Sequence, residues 1–254
     1  MNEDKLSALR VLANTCPYQF FLPEAGQDLA ALGGDLTPST LLYAYFHGFF
    51  PWFNEGEPIA WYHPAVRCVF FSSDFHPAKS LQRNAKKYAK AGYHLSLNHA
   101  FTDVMHACSL PRAYSEETWI HDEMKESYAN LHKLGVAFSF EVWAGEPLKS
   151  DLVGGLYGLQ IGACVFGESM FHHVTDASKL AFWALARLCK KTGIPLIDCQ
   201  LPNDYLLGLG AKVMPRADFL RHLASHTDPK NPAMQISWQD LGFCQPLSWL
   251  YEDK

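Results

Sequence analysis

The sequence predicts a mixed α/β fold, a layer of strands with helices packed on it, on three observations. Residues 152–173, LVGGLYGLQIGACVFGESMFHH, read as two apolar strands joined by a tight glycine turn. A long apolar-faced helix over Ala177–Lys191 follows and leads into a further short strand, Ile194–Gln200. Upstream, Ala137–Trp143 alternates with period two, the pattern of a half-buried strand. Strand, helix and strand in succession give a layered sheet rather than a bundle or a sandwich.

The other elements fall in around this centre. Asp4–Leu12 is a short amphipathic piece. Gly33-Gly34-Asp35 is turn chemistry, Thr37 is placed to cap a helix with Pro38 in its first position, and Leu41, Leu42, Tyr45 and Phe46 follow at helical spacing up to Gly48. Phe49–Phe53 is an aromatic exit loop whose rings serve as core or, for Trp52, as a pocket wall. Pro58–Tyr62 and Val66–Phe71 are strands separated by His63-Pro64, which places a small N-terminal domain at residues 1–63 and a larger one at 64–254. Ser80–Gly92 is a basic helix carrying Arg83, Lys86, Lys87 and Lys90; its face suits solvent or nucleic-acid phosphates.

Tyr93–Leu97 is a strand, Ala100–Cys108 a helix and Ser109–Glu117 a polar loop. Trp119 leads into a helix, Asp122–Leu134, stopped by Gly135. Asp176 is placed to cap the long helix. Asn203–Leu209, Lys212–Met214 and Arg216–His226 read as helix, strand and helix. The Pro- and Trp-bearing tail to Lys254 suits either packing or a free end.

Composition narrows the class. With 254 residues, 48% of them hydrophobic and 19% charged, the chain has ample material for a core and is not disordered. No run approaches the ~18 apolar residues of a membrane span, and the acidic start MNEDK is no secretory signal. Seven cysteines without a C-x-x-C pair argue against zinc and disulfide frameworks and fit a reducing cytoplasm. A net charge of −5 argues against a surface coated for phosphate binding but permits a local basic patch.

Several chemistries drop out. Gly167-Glu168-Ser169 lacks the second glycine of a nucleophile elbow. His222 and His226 lack the glutamate and third ligand of a zinc helix. No phosphate loop exists, and Gln160-Ile161-Gly162-Ala163 matches poorly the turn that holds the CoA pyrophosphate, so ATP and CoA are disfavoured as donors. Glu168, Asp198 and Gln200 remain, polar groups at the ends of apolar strands. Gly154, Gly155, Gly158, Gly162 and Gly167 are expected to clear space for a close-approaching chain or ligand. A pocket lined by Leu156, Val165 and aromatic rings would favour a large apolar group.

The blocks GGDLTPSTLLYAYFHGFFPWF, TWI, LVGGLYGLQIGACVFGESMFH, ASKLA, LIDCQLPNDYLLGLGA and PRADFL, in that order, resemble the leucyl/phenylalanyl-tRNA–protein transferase family over roughly Leu32 to Leu223. The resemblance implies a small N-terminal α/β domain and a C-terminal acetyltransferase-like (GNAT) domain. It also implies transfer of Leu or Phe, less well Met, from aminoacyl-tRNA to the N-terminal Arg or Lys of a protein, marking that protein for degradation. Asp198 and Gln200 fall on the family's catalytic pair; Trp52, Trp119, Leu156, Val165, Glu168 and Asn203 fall on positions that bind the aminoacyl end. Asp198 is then expected to orient the incoming amine and help deprotonate it, with Glu168 holding the donor's amino group. The basic helix becomes the expected tRNA contact through Arg83, Lys86, Lys87 and Lys90. A cytoplasmic monomer with no cofactor, metal or membrane partner is expected.

Overall fold

The computed structural model describes residues 3–111, 118–228 and 238–252. Its first helices are α1 (Glu3–Ala13) and α2 (Pro38–Phe46), which pack on each other. The start of α2 follows from its sequence: the Thr37 hydroxyl accepts the Thr40 N–H, Pro38 supplies the first helical φ, and Asp35 in turn accepts the Thr37 N–H at 3.0 Å. The helix ends before Gly48, whose φ of +84° favours glycine. A side chain there would also meet the His63 ring at 2.9 Å. Strands β1 (Leu29–Leu32), β2 (Phe50–Pro51) and β3 (Ala60–Tyr62) form a small antiparallel sheet with β3 in the middle.

Among the described residues, all later strands belong to one eight-stranded sheet. They are β4 (Val66–Phe71), β5 (His94–Leu97), β6 (Ala137–Trp143), β7 (Leu152–Ile161), β8 (Cys164–His172), β9 (Leu196–Asp198), β10 (Lys212–Pro215) and β11 (Cys244–Pro246). Across the sheet the order is β10-β4-β9-β8-β7-β6-β5-β11. The α-helices among the described residues that follow α2 are α3 (Lys79–Lys90), α4 (Phe101–Ser109), α5 (Asp122–Lys133), α6 (Ala177–Thr192), α7 (Asp204–Gly208) and α8 (Arg216–His226). The mixed α/β class read from the sequence is thus the class observed. A single cluster of buried hydrophobic residues runs from Leu6 to Leu250 through both sheets. Among the described residues no helix is long and apolar enough to cross a membrane.

Every pairing in the large sheet is antiparallel except β8 with β9, the two strands joined through α6. That parallel pairing is short: it ends at Phe166 opposite Asp198, while β8 runs on to His172 beside β7 alone. Beyond Phe166, β8 therefore presents a free edge next to Cys199 and Gln200.

Local readings from the sequence need three corrections. Strand β6 is buried along all seven residues, not on one face, because α4, α5 and α6 all pack against it. Its polar members are satisfied inside: Glu141 accepts from Ser96 and Ser139, and burial raises its carboxyl. The glycines clear space mostly for the protein itself. Side chains at Gly154, Gly155 and Gly158 would strike Ala177, the Phe140 carbonyl and the Phe166 carbonyl. At Gly167 an added side chain would meet the Asp198 carbonyl at an ordinary 3.7 Å. Asp176 sits at the start of α6, but its side chain makes no cap bond and instead accepts from Lys179 and from Asn84 of α3. The polar loop expected over Ser109–Glu117 lies beyond residue 111 outside the described residues. The tail packs: β11 pairs with β5, and Trp238, Leu247 and Leu250 are buried.

Candidate active site

The site forms where β8 and β9 part. Tyr157 of β7 faces Ser169 and the next residue, Gly158, faces Gly167, so Glu168 is the extra residue of a β-bulge. A bulge takes one residue out of ladder pairing and re-aims its side chain, and here it turns Glu168 toward three donors. The Tyr45 hydroxyl of α2 donates to Glu168 Oε1 at 2.7 Å, the Tyr128 hydroxyl of α5 to Oε2 at 3.3 Å, and the Gln200 amide to Oε1 at 3.2 Å. The two tyrosine hydroxyls also lie 2.5 Å apart. Glu168 is half-buried, and desolvation pushes its carboxyl up to about 7 despite the tyrosine donors; the nearby Asp198 charge adds to the rise. Burial and the Glu168 charge push both tyrosine hydroxyls well above their usual range, so they stay protonated as donors.

Asp198 lies one strand away in a sealed environment. It has no exposed surface, and neither has Arg67 of β4, whose guanidinium grips it in a fork: Nε to Oδ1 at 2.8 Å and Nη2 to Oδ2 at 2.6 Å. Arg67 Nη1 donates to the Gly48 carbonyl at 2.9 Å, and the Phe50 and Phe219 rings lie 4.9 and 4.4 Å from its Cζ. Asp198 Oδ1 also accepts the Gln200 N–H at 3.0 Å. Gln200 has a φ of +56°, a left-handed conformation uncommon for a residue with a side chain. Its carbonyl accepts the Cys68 N–H, so β4 holds it from the other side.

Glu168, Asp198 and Gln200 are therefore brought into one hydrogen-bonded group. Leu156 and Val165 are buried in β7 and β8 close by in sequence, with Val165 fully enclosed. Trp119 is half-buried ahead of α5, and Trp52 is 45% exposed with its ring 5.6 Å from that of Tyr62. Asn203 caps α7, its side chain accepting the Leu206 N–H at 2.9 Å. Arg83, Lys86, Lys87 and Lys90 line an open groove on α3, apart from this group, with Lys86 Nζ 5.9 Å from the Tyr251 ring. The Tyr88 hydroxyl donates to the Thr175 carbonyl, tying α3 to the loop that follows β8.

Three members of the group escape a reading of the sequence by strand ends. Arg67 is a lone charge inside the apolar run VRCVFF, a signal that was open to use. Tyr45 and Tyr128 look like ordinary core rings; their one distinguishing mark is a hydroxyl that must find a partner when buried.

The family model described as leucyl/phenylalanyl-tRNA protein transferase matches residues 69–224, and that of the family's N-terminal domain matches 34–65. A leucyl/phenylalanyl-tRNA–protein transferase of Psychrobacter cryohalolentis is 48% identical over 239 residues, covering 87% of this chain and 85% of its own. One of Psychrobacter arcticus is 52% identical over 231 residues, covering 87% and 84%. A crystal structure of FemX aligns with 60% of each chain at 10% identity and a TM-score of 0.45. The class is thus a transferase of mixed α/β fold. Within it, the chain belongs to the leucyl/phenylalanyl-tRNA protein transferase family.

Proposed function

We propose that the protein moves leucine or phenylalanine, and less well methionine, from aminoacyl-tRNA to the N-terminal Arg or Lys of acceptor proteins, which thereby become marked for degradation. It would act as a monomer in the cytoplasm. The observation that carries this reading is the hydrogen-bonded group of Glu168, Gln200 and Asp198 at the open edge of β8.

The reaction is aminolysis of an ester. The acceptor's α-amino nitrogen bonds to the aminoacyl carbonyl carbon, the bond from that carbon to the terminal ribose oxygen breaks, and the proton lost by nitrogen balances the one taken up by the ribose oxygen. The ester is already activated, so alignment of two substrates supplies much of the rate. In this reading Glu168 holds the donor's amino group at the bulge, and Gln200 supports charge developing on the carbonyl oxygen. The bidentate grip of Arg67 favours Asp198 as the group that orients Gln200 over Asp198 as the base, because both carboxylate oxygens already accept hydrogen bonds. Trp52, Trp119 and Asn203 would surround the aminoacyl end, with buried Leu156 and Val165 backing its wall. An apolar pocket separates side chains by about 1–3 kcal/mol per methylene, which orders Leu and Phe ahead of Met and leaves β-branched Val and Ile poor.

The groove of Arg83, Lys86, Lys87 and Lys90 is proposed to hold tRNA phosphates with little reading of sequence. Reversal of Lys86 and Lys87 to Glu should raise the KM for aminoacyl-tRNA and flatten its salt dependence; unchanged donor affinity would move the contact elsewhere.

The deciding experiment is transfer of radiolabelled leucine from charged tRNA to a peptide beginning with Arg, beside one beginning with Gly. Label should reach the Arg peptide alone. Equal labelling of both would overturn the acceptor assignment, activity surviving ribonuclease treatment of the donor would point to a small acyl donor, and peptide binding without transfer would make the protein a recognition module.

A further inference from the structure

We infer that Arg67 is a positioning residue for aminoacyl transfer, acting through the Asp198 carboxylate to hold Gln200 in the backbone conformation that aims its amide at Glu168. The inference rests on the reading that Asp198 and Gln200 carry the transfer.

The geometry runs as a chain. Gln200 occupies the left-handed region at φ +56°, from which a residue with a side chain relaxes unless it is held. Two contacts hold it: its carbonyl accepts from Cys68, and its N–H donates to Asp198 Oδ1 two residues back. The second is an aspartate turn, a local device whose strength depends on the carboxylate keeping its rotamer. Arg67 fixes that rotamer, because its fork meets both oxygens in one plane and Nε shares Oδ1 with the Gln200 N–H. Arg67 is in turn held in place: the Phe50 and Phe219 rings lie 4.9 and 4.4 Å from its Cζ, and the Gly48 carbonyl takes its remaining arm. At the far end of the chain the Gln200 amide lies 3.2 Å from Glu168.

A merely stabilising role explains less of this. Ion pairs with no exposed surface bear a heavy desolvation cost, and apolar side chains of similar volume commonly serve stability as well or better. What apolar residues would not supply is a carboxylate of fixed orientation under the Gln200 N–H. Lysine would not supply it either, since an ammonium meets a carboxylate as a point charge without the fork.

The test compares wild type, Arg67→Lys and Gln200→Ala in steady-state leucine transfer to an Arg peptide, with amide hydrogen exchange read at Gln200. Arg67→Lys keeps a positive charge against Asp198 and is the variant suited to folding. Its kcat should fall by about 10²-fold, the scale set by an ångström-sized misplacement, with the KM for leucyl-tRNA unchanged. Its Gln200 amide should lose the protection seen in wild type. A normal kcat in folded Arg67→Lys, or a loss confined to KM, overturns the inference. Should Arg67→Lys fail to fold, wild type decides: a protected Gln200 amide supports the inference, and exchange at the unprotected rate overturns it. Gln200→Ala separates the two levels. A normal kcat there removes the reading on which the inference stands, whereas a slow Gln200→Ala beside a normal Arg67→Lys sinks the inference alone.

Discussion

Glu168 and Asp198 are two carboxylates on opposite sides of the same opening in the sheet, linked through one glutamine, and their surroundings are opposite. Asp198 is sealed and locked by a guanidinium fork. Glu168 sits half-buried on a bulge, faces only neutral donors, and is pushed up to about 7. The contrast teaches that partner chemistry decides what a buried acid is for: a cation makes an anchor of one, and hydroxyls and an amide leave the other poised to exchange a proton near neutrality.

The comparison breaks most severely if the anchor is removed. Asp198→Ala leaves Arg67 buried without its counter-charge, which should cost about 3–5 kcal/mol of stability by analogy with other severed buried pairs. Urea unfolding reads that directly, and kcat should drop far more than donor affinity. Asp198→Asn separates charge from shape: near-normal turnover in that variant would leave positioning alone as the function of the residue.

At the other carboxylate the expected effect is one of pH. The Glu168 carboxyl is raised from 4.5 to about 7 on folding, so the folded state binds more protons than the unfolded state between those values. Stability contributed by this group is therefore full at low pH and declines as pH rises from about 4.5 through about 7. Glu168→Gln should remove that decline, seen as a flatter plot of unfolding free energy against pH, together with any limb near pH 7 in kcat/KM. A decline that persists unchanged would assign the titration to another group.

The mildest change sharpens the contrast. Tyr45→Phe deletes one donor to Glu168 and should cost about 1 kcal/mol. Because the Tyr45 hydroxyl is what most lowers the Glu168 carboxyl, its loss should move the pH midpoint above 7, while Tyr128 keeps the site partly satisfied. A midpoint moving the other way would contradict the donor role of the hydroxyl.

How much of this was legible beforehand differs by kind. Elements with local signals emerged near their observed bounds: the Thr37-Pro38 start of α2, the Gly135 stop of α5, and the α8 span Arg216–His226. The polar groups that interrupt the apolar runs, Glu168, Asp198 and Gln200, come together in one hydrogen-bonded group, although Glu168 lies within β8 and not at its end. What escaped is non-local. The alternation of β6 suggests a wet face, yet helices from three separate stretches cover both of its sides. The glycines of β7 suggested ligand clearance, yet the atoms they clear belong to β6, β8 and the start of α6. Arg67 reads as one stray charge until Asp198, 131 residues away, is placed against it. The bulge at Glu168 depends on which residues pair across β7 and β8, and no motif within β8 states that register.

The order of strands in the large sheet has a consequence for how the chain is made. Its two outermost strands, β10 and β11, are also the last two in sequence. On a ribosome, therefore, the interior of the sheet emerges first and its flanks are sealed last, leaving β4 and β5 with bare hydrogen-bonding edges during the closing phase of synthesis. A chain stopped before residue 244 would lack β11 and carry an adhesive flank at β5, prone to joining its neighbours edge to edge.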